Sequence, residues 1–264
     1  MGPRMTRMVE RLGAGALALL AALAPARATE ESVATALVVS VDVSQSVDAD
    51  RFRLQMEGIA GALEDPAVVA AITGNPGGIL FALVTWADRA QMALGWRRIA
   101  SRAEAAATAA AVRAVPRQAG EFTCVGQMMR SLTAQVLPAL PLPADRVVVD
   151  VSGDGIDNCT GPDAIEAARE ALLAAGATIN GLPILVPGEN DVVGAGAFRA
   201  PGYGLRPAGP GQGQETTLDG WYRANVVGGP GSFLLAARGY GDFARALRQK
   251  FVLEISWLEP ARRP

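Results

Sequence analysis

The sequence ALVVSVDVSQS at residues 36–46 runs from an apolar segment straight into a row of oxygen-bearing side chains. Residues 36–43 are apolar on both faces, which is typical of a parallel strand covered by helices on both sides. Asp42, Ser44 and Ser46 then alternate along the chain. Because successive side chains of an extended chain point to opposite sides, these three side chains point the same way.

Further apolar runs follow, separated by segments whose apolar residues recur at helical spacing. Strands are predicted at residues 36–43, 79–86, 146–151, 178–185 and 232–236. Helices are predicted at residues 50–63, 101–114, 125–137, 163–175 and 242–255. The alternation predicts an α/β fold, a doubly wound and mostly parallel sheet with helices on both faces. A weaker run at 90–96 follows the second strand closely and predicts one antiparallel edge strand.

The first 28 residues have the parts of an export signal. Basic residues precede an apolar stretch at 12–24, and Ala26 and Ala28 supply the small residues that a signal peptidase reads. We expect cleavage after Ala28, which leaves residues 29–264 as a single exported domain, periplasmic or secreted, without a membrane span. An uncleaved N-terminal anchor is the alternative.

The composition excludes several functions. Histidine is absent from the 264 residues, which rules out Ser-His-Asp and Cys-His catalysis and histidine-based zinc sites. Lys and Arg number 24 against 26 Asp and Glu, without a basic cluster, which argues against a nucleic acid partner. The only lysine, Lys250, is expected on the solvated side of its helix.

Oxygen donors gather where predicted strands end. Asp154 follows the strand at 146–151, and Thr123 precedes the helix at 125–137. In an open parallel sheet, ligands bind beyond the carboxyl ends of the strands. Hydroxyls and carboxylates from three loops suit a hard divalent cation, and Mg²⁺ fits best because it prefers oxygen ligands.

At these residues the chain resembles the von Willebrand factor A domain, over roughly residues 34–256. The metal-ion-dependent adhesion site of that family has an Asp-x-Ser-x-Ser run, a distant Thr and a later Asp followed by Gly. The resemblance implies these metal ligands: Asp42, Ser44, Ser46, Thr123 and Asp154. It also implies bound Mg²⁺, with Mn²⁺ or Ca²⁺ as alternatives, and an open coordination position for an acidic side chain of a protein partner. It implies a binding module rather than an enzyme, similar to a group of exported bacterial members.

Other readings of the same residues stay open. Asp42 and Asp154 could serve a phosphatase of the haloacid dehalogenase type, although Ser44 stands where that class needs a second Asp and no lysine precedes Lys250. The Asp-x-Ser-x-Ser run could be only a capping turn, in which Ser46 or Asp48 caps the helix that starts at Asp50. A structural domain without metal is the remaining alternative.

The loops that carry the two cysteines are expected to lie beside the cation. Cys124 and Cys159, the only cysteines, lie in loops that converge on the ion, so an exported chain is predicted to join them by a disulfide. Two buried free thiols are the alternative.

A stretch at 186–217 is rich in Gly and Pro and shows no periodicity, which predicts a long loop. This loop is expected either to frame the docking face or to serve as a spacer.

Overall fold

The computed structural model describes Gly2 and residues 31–118, 120–194, 198–200, 204–206 and 215–256. The predicted export signal, apart from Gly2, lies outside the described residues. The chain divides into Met1–Glu30 and Glu31–Pro264, and the second unit holds the fold given below. In the described part of the chain, no helix is long and apolar enough to cross a membrane.

Strands and helices alternate along most of the second unit. The strands are β1 (Val33–Asp42), β2 (Ile79–Trp86), β3 (Ala90–Ile99), β4 (Ala144–Gly153), β5 (Ala177–Leu185), β6 (Phe198–Ala200), β7 (Gly204–Arg206) and β8 (Ala237–Arg238). The helices are α1 (Ala49–Glu64), α2 (Pro66–Gly74), α3 (Arg102–Arg113), α4 (Val125–Ser131), α5 (Pro162–Ala174), α6 (Leu218–Asn225) and α7 (Phe243–Ile255). A π-helical turn and a 3-10 turn prolong α4 to Ala139.

Six of the strands form one sheet in the order β3-β2-β1-β4-β5-β8. Neighbouring strands are parallel except for the antiparallel pair β2 and β3. The predicted α/β fold and its antiparallel edge strand are thereby confirmed. The chain moves outward from β1 to β3 and then returns to β4 beside β1, which makes the carboxyl ends of β1 and β4 the place where the strand order reverses.

The core lies on both faces of the sheet. Leu37 and Val39 of β1 pack with α1, α2, α3 and α7, whereas Val38 faces α4, α5 and α6. This two-sided burial explains why the strands are continuous apolar runs rather than alternating ones.

Three expectations need correction. The predicted strand at 232–236 is displaced, because the ladder with β5 forms at Ala237 and Arg238. Helix α2 was not predicted, although Asp65 caps it by accepting a hydrogen bond from Ala67 N and Pro66 starts it. The expected loop at 186–217 contains the short antiparallel pair β6 and β7 among its described residues.

Candidate metal centre

The predicted ligands meet at the carboxyl ends of β1 and β4. Asp42 is the last residue of β1, and Asp154 directly follows β4. Because these strands are parallel neighbours, both carboxylates reach the same edge of the sheet. Asp42, Asp154, Ser44 and Thr123 are buried, whereas Ser46 is exposed, so the cluster opens to solvent at Ser46.

Hydrogen bonds link all five predicted residues. Ser46 Oγ donates to Asp154 Oδ1 at 2.6 Å, and the Oγ atoms of Ser44 and Ser46 lie 3.3 Å apart. Thr123 Oγ1 donates to Ser44 Oγ at 3.3 Å. Asp42 Oδ1 accepts a hydrogen bond from Ser44 N at 2.7 Å. Three hydroxyls and two carboxylates therefore face one another across residues that are far apart in sequence.

One oxygen of the cluster has no partner among the described residues. Asp42 Oδ2 is buried without a hydrogen bond. Burial, with a further contribution from Asp154, raises the pKa of Asp42 from 3.8 to about 8. A Cβ added at Gly153 would lie 3.0 Å from this oxygen, so the glycine keeps the space beside it open. A buried carboxylate oxygen without a partner is costly, and a cation would supply the missing contact.

The donor set has the chemistry of a hard-cation site. Nowhere in the described ranges do three His, Cys, Asp or Glu side chains gather as they would around zinc. Hydroxyl and carboxylate oxygens suit Mg²⁺, Mn²⁺ or Ca²⁺. The residues present thus fit the implied cation.

Two further residues contact the carboxylate of Asp154, and the sequence pattern did not reveal them. Tyr240 OH donates to Asp154 Oδ2 at 2.9 Å, and burial raises the pKa of this phenol, which keeps it a neutral donor. Arg51 Nη1 lies 3.5 Å from the same oxygen and donates to Ser46 O at 3.0 Å. The Arg51 guanidinium also lies 5.2 Å from the centre of the Tyr240 ring. A positive charge therefore stands at the rim of the site.

The loop that carries Thr123 is held from two sides. Asp88, just after β2, accepts hydrogen bonds from Glu121 N and Phe122 N. Thr123 N donates to Asn158 Oδ1 at 2.9 Å, and Asn158 N donates to Thr123 O at 3.0 Å. These bonds fix the hydroxyl of Thr123 at the cluster.

The predicted disulfide between Cys124 and Cys159 is confirmed, with the Cα atoms 5.3 Å apart. Asp157 strengthens the same junction, because its carboxylate accepts hydrogen bonds from Gly126 N, Cys159 N and Thr160 N. The disulfide and these bonds tie the loop of Thr123 to the loop that follows Asp154.

The first part of the stretch at 186–217 borders the site. Asn190 Nδ2 donates to Asp154 O at 2.7 Å and to Ile184 O at 3.0 Å. Arg51 Nη2 donates to Glu189 Oε1 at 2.5 Å. Val193 and Thr216 form an antiparallel bridge, which brings the two ends of the intervening segment together.

The two features that the phosphatase reading needs are not found at the cluster. Ser44 occupies the position of the second acid and hydrogen-bonds to Thr123 and Asp42. Lys250, the only lysine of the chain, contacts Asp150 and Glu254.

Comparisons with known proteins give a family and a fold. A family model described as "Protein of unknown function (DUF1194)" matches residues 32–259. Proximal thread matrix protein 1 from the mussel byssus is similar in structure, with a TM-score of 0.58, 12% identity and coverage of 86% of this chain and 49% of that one. In another structure of that protein, 17% identical with a TM-score of 0.56 over 86% of this chain and 47% of that one, the metal-ion-dependent adhesion site is occupied by zinc.

A von Willebrand factor type A protein from Catenulispora acidiphila is also similar, with a TM-score of 0.53, 15% identity and coverage of 84% of this chain and 43% of that one. The chain therefore spans about half the length of these two solved proteins. No curated protein matches it in sequence.

Proposed function

Because this chain belongs to the DUF1194 family and has the von Willebrand factor A fold, we propose that it is an exported module that binds a divalent cation and, through it, another protein. The cation is held by these residues: Asp42, Ser44, Ser46, Thr123 and Asp154. Mg²⁺ is the expected metal, with Mn²⁺ and Ca²⁺ as alternatives. The protein acts as a binding module and not as an enzyme.

The observation that carries this proposal is the buried Asp42 Oδ2, which lacks a hydrogen-bond partner among the described residues although it lies in a cluster of oxygen donors. Asp48 does cap α1, by accepting a hydrogen bond from Arg51 N, but this capping turn does not use Asp42. Asp42 Oδ1 accepts a hydrogen bond from Ser44 N, and a cation would neutralise the oxygen that is left.

The open side of the cluster explains why the partner offers an acidic group. One divalent cation balances the two carboxylates of Asp42 and Asp154, and Glu189 balances Arg51 at the rim. The cation would act as a Lewis acid that accepts a further oxygen ligand at the exposed side, next to Ser46. A carboxylate of a partner protein is the oxygen ligand that such a cation prefers.

Export to the periplasm or the cell exterior is supported by the disulfide between Cys124 and Cys159, because such bonds persist in oxidising compartments. The zinc-occupied adhesion site of the mussel byssus protein supports a divalent metal at this place in the fold. Cleavage of residues 1–28 is part of this proposal.

The metal site is tested by titrating chelator-treated protein with Mg²⁺ and Mn²⁺ in a calorimeter and by thermal shift. Wild type should bind one ion and gain thermal stability, whereas Asp42→Ala and Asp154→Ala should show neither response. Asp163→Asn is the matched control, since it removes an exposed carboxylate from the first turn of α5. Failure of wild type to respond, or equal responses in wild type and both site variants, would rule the site out.

Partner binding needs a separate measurement. Immobilised protein should capture its partner from an extract of the source cells in Mg²⁺ and release it in EDTA, and Asp42→Ala should capture nothing. Deleting residues 195–213 removes most of the loop but keeps the Val193–Thr216 bridge and Asn190. If the loop frames the docking face, the deletion weakens capture and leaves Mg²⁺ binding unchanged, whereas full capture by the deletion variant would identify the loop as a spacer.

A further inference from the structure

A second charged cluster lies inside the protein between the sheet and α7. Lys250 and Glu254 are one turn apart on α7, and both face Asp150 of β4. Lys250 is 0% exposed, Asp150 1% and Glu254 2%. The expectation that Lys250 is solvated is therefore wrong.

The cluster holds several charges away from solvent. The carboxylates of Asp150 and Glu254 pair with the ammonium of Lys250, and the Arg146 guanidinium donates to Glu254 O beside them. Burying such charges is costly. Lys250 is also the only lysine among 24 basic residues. A guanidinium stays protonated in proteins, whereas a buried lysine amine can lose its proton and act as a nucleophile. The chain thus places its single potential amine nucleophile where no solvent reaches it.

The contact between Lys250 and Asp150 has the proximity needed for a reaction. Lys250 Nζ lies 3.0 Å from Asp150 Oδ1, which is the distance of a direct ion pair. The atom that an amine attacks is the carboxyl carbon, and Cγ of Asp150 is one bond away from this oxygen. The ion pair therefore holds the amine beside its acceptor, which makes the condensation an intramolecular reaction.

Glu254 lies beside the Lys250 amine, where it can carry a proton during the reaction. Its Oε1 accepts hydrogen bonds from Lys250 Nζ at 2.5 Å and from Asn180 Nδ2 at 2.8 Å. Asn180 is the register partner of Asp150 on the neighbouring strand, so it holds Glu254 over the pair. A carboxylate fixed beside an amine can take up and return its proton.

We propose that Lys250 and Asp150 condense to an intramolecular isopeptide bond, with Glu254 as the proton carrier. The Lys250 ammonium first gives a proton to the Asp150 carboxylate, and the neutral amine then attacks Cγ and forms the C–N bond. Glu254 takes a proton from the nitrogen and returns it to the departing hydroxyl, so the C–O bond breaks and one water leaves. Ammonium and carboxylate become amide and water, and Glu254 ends as it began.

The surroundings favour this condensation. Burial raises the pKa of Asp150, which favours the neutral acid that the amine attacks. The ring of Phe233 lies 4.9 Å from Lys250 Nζ in a cation–π contact, which holds the ammonium in place before it gives up its proton. Exclusion of water protects the product from hydrolysis. The bond would remove two buried charges and join α7 covalently to β4, the strand that carries Asp154 at its end.

The mass of the reduced, denatured protein tests the proposal directly. Wild type should be lighter by one water than the mass calculated for the purified chain from its determined N-terminus, and Glu254→Gln should have the full calculated mass because its proton carrier is gone. A full wild-type mass would overturn the proposal. A loss of one ammonia would also overturn it, because that product requires Asn180 as the acceptor.

A lysine-specific endoprotease gives an independent readout. Lys250 is its only cleavage site, and an acylated Nζ resists it, so denatured wild type should stay intact. Glu254→Gln should release residues 251–264. Arg53→Lys is the control, since it adds an exposed lysine on α1 at which every sample must be cut. Release of residues 251–264 from wild type would show a free Lys250 and refute the bond.

Discussion

Replacing Asp42 by asparagine should stabilise the protein when metal is withheld and should abolish its response to Mg²⁺. Asp42→Asn keeps the shape of the side chain and the acceptor for Ser44 N, and it removes the ionisable carboxyl group from the core. In EDTA at pH 7 we expect the variant to be more stable than wild type. A substitution at a merely structural residue would have the opposite effect, because most buried substitutions destabilise.

The magnitude follows from the environment of Asp42. Burial, with a smaller contribution from Asp154, raises its pKa from 3.8 to about 8. The folded state therefore holds the proton more tightly than the unfolded state, and stability falls as the pH rises from about 4 to about 8. Each pH unit in this window lowers the free energy of unfolding by about 1.4 kcal/mol. At pH 7 the total loss is roughly 4 kcal/mol. The new amide leaves one buried N–H unpaired at about 1–3 kcal/mol, so the variant gains about 1–3 kcal/mol.

Urea unfolding followed by circular dichroism measures this difference. In EDTA the advantage of Asp42→Asn should be clear at pH 7 and absent at pH 4, where the unfolded wild type also takes up the proton. With Mg²⁺ at about 100 times its Kd, wild type gains about 2.7 kcal/mol and the variant gains nothing, which closes or reverses the gap. A variant that is less stable than wild type in EDTA at pH 7, or that keeps the full Mg²⁺ gain, would refute this reasoning.

Three other substitutions test the surroundings of the cluster. Replacing Cys124 and Cys159 by serine should lower the free energy of unfolding by about 2–4 kcal/mol and weaken Mg²⁺ binding, and an unchanged urea midpoint would contradict this. Gly153→Ala should impair Mg²⁺ binding in calorimetry, because the added Cβ would lie 2.8 Å from Tyr222 OH and 3.0 Å from Asp42 Oδ2. Gly61→Ala is the control and should bind Mg²⁺ normally, because its added Cβ would have no atom within 4 Å. Arg51→Ala should tighten Mg²⁺ binding roughly two- to fivefold by removing a nearby cation and should weaken partner capture, and weaker Mg²⁺ binding would contradict it.

The convergence of the proposed ligands could be predicted from the sequence because its signal is local. Asp42, Ser44 and Ser46 continue the alternation of a strand, and Asp154 ends a second strand that is parallel to the first. Strand direction alone then brings them together. The disulfide could be predicted for the same reason, since Cys124 lies next to Thr123 in a loop at that edge.

Contacts that depend on the third dimension could not be predicted in this way. Tyr240 and Arg51 reach Asp154 from separate elements, and no spacing in the chain connects them. A local signal did exist for Lys250, because residues 243, 246, 247, 250, 251 and 254 form one buried stripe along α7. The helical period placed Lys250 inside, and the usual exposure of lysine led to the wrong expectation.

Both clusters pose one physical problem, which is a carboxylate buried in the core of the sheet. Asp42 and Asp150 are each at most 1% exposed, and burial raises the pKa of both. At the edge of the sheet the cluster opens to solvent at Ser46, so a cation can enter and stay exchangeable. Deep under α7 no ion can arrive from solvent, so neutralisation must come from the chain itself, and Lys250 lies within 3.0 Å to provide it. On the two proposals made above, the position of each aspartate in the sheet therefore decides how it is neutralised. Asp42 binds an exchangeable cation, whereas Asp150 forms a permanent covalent bond.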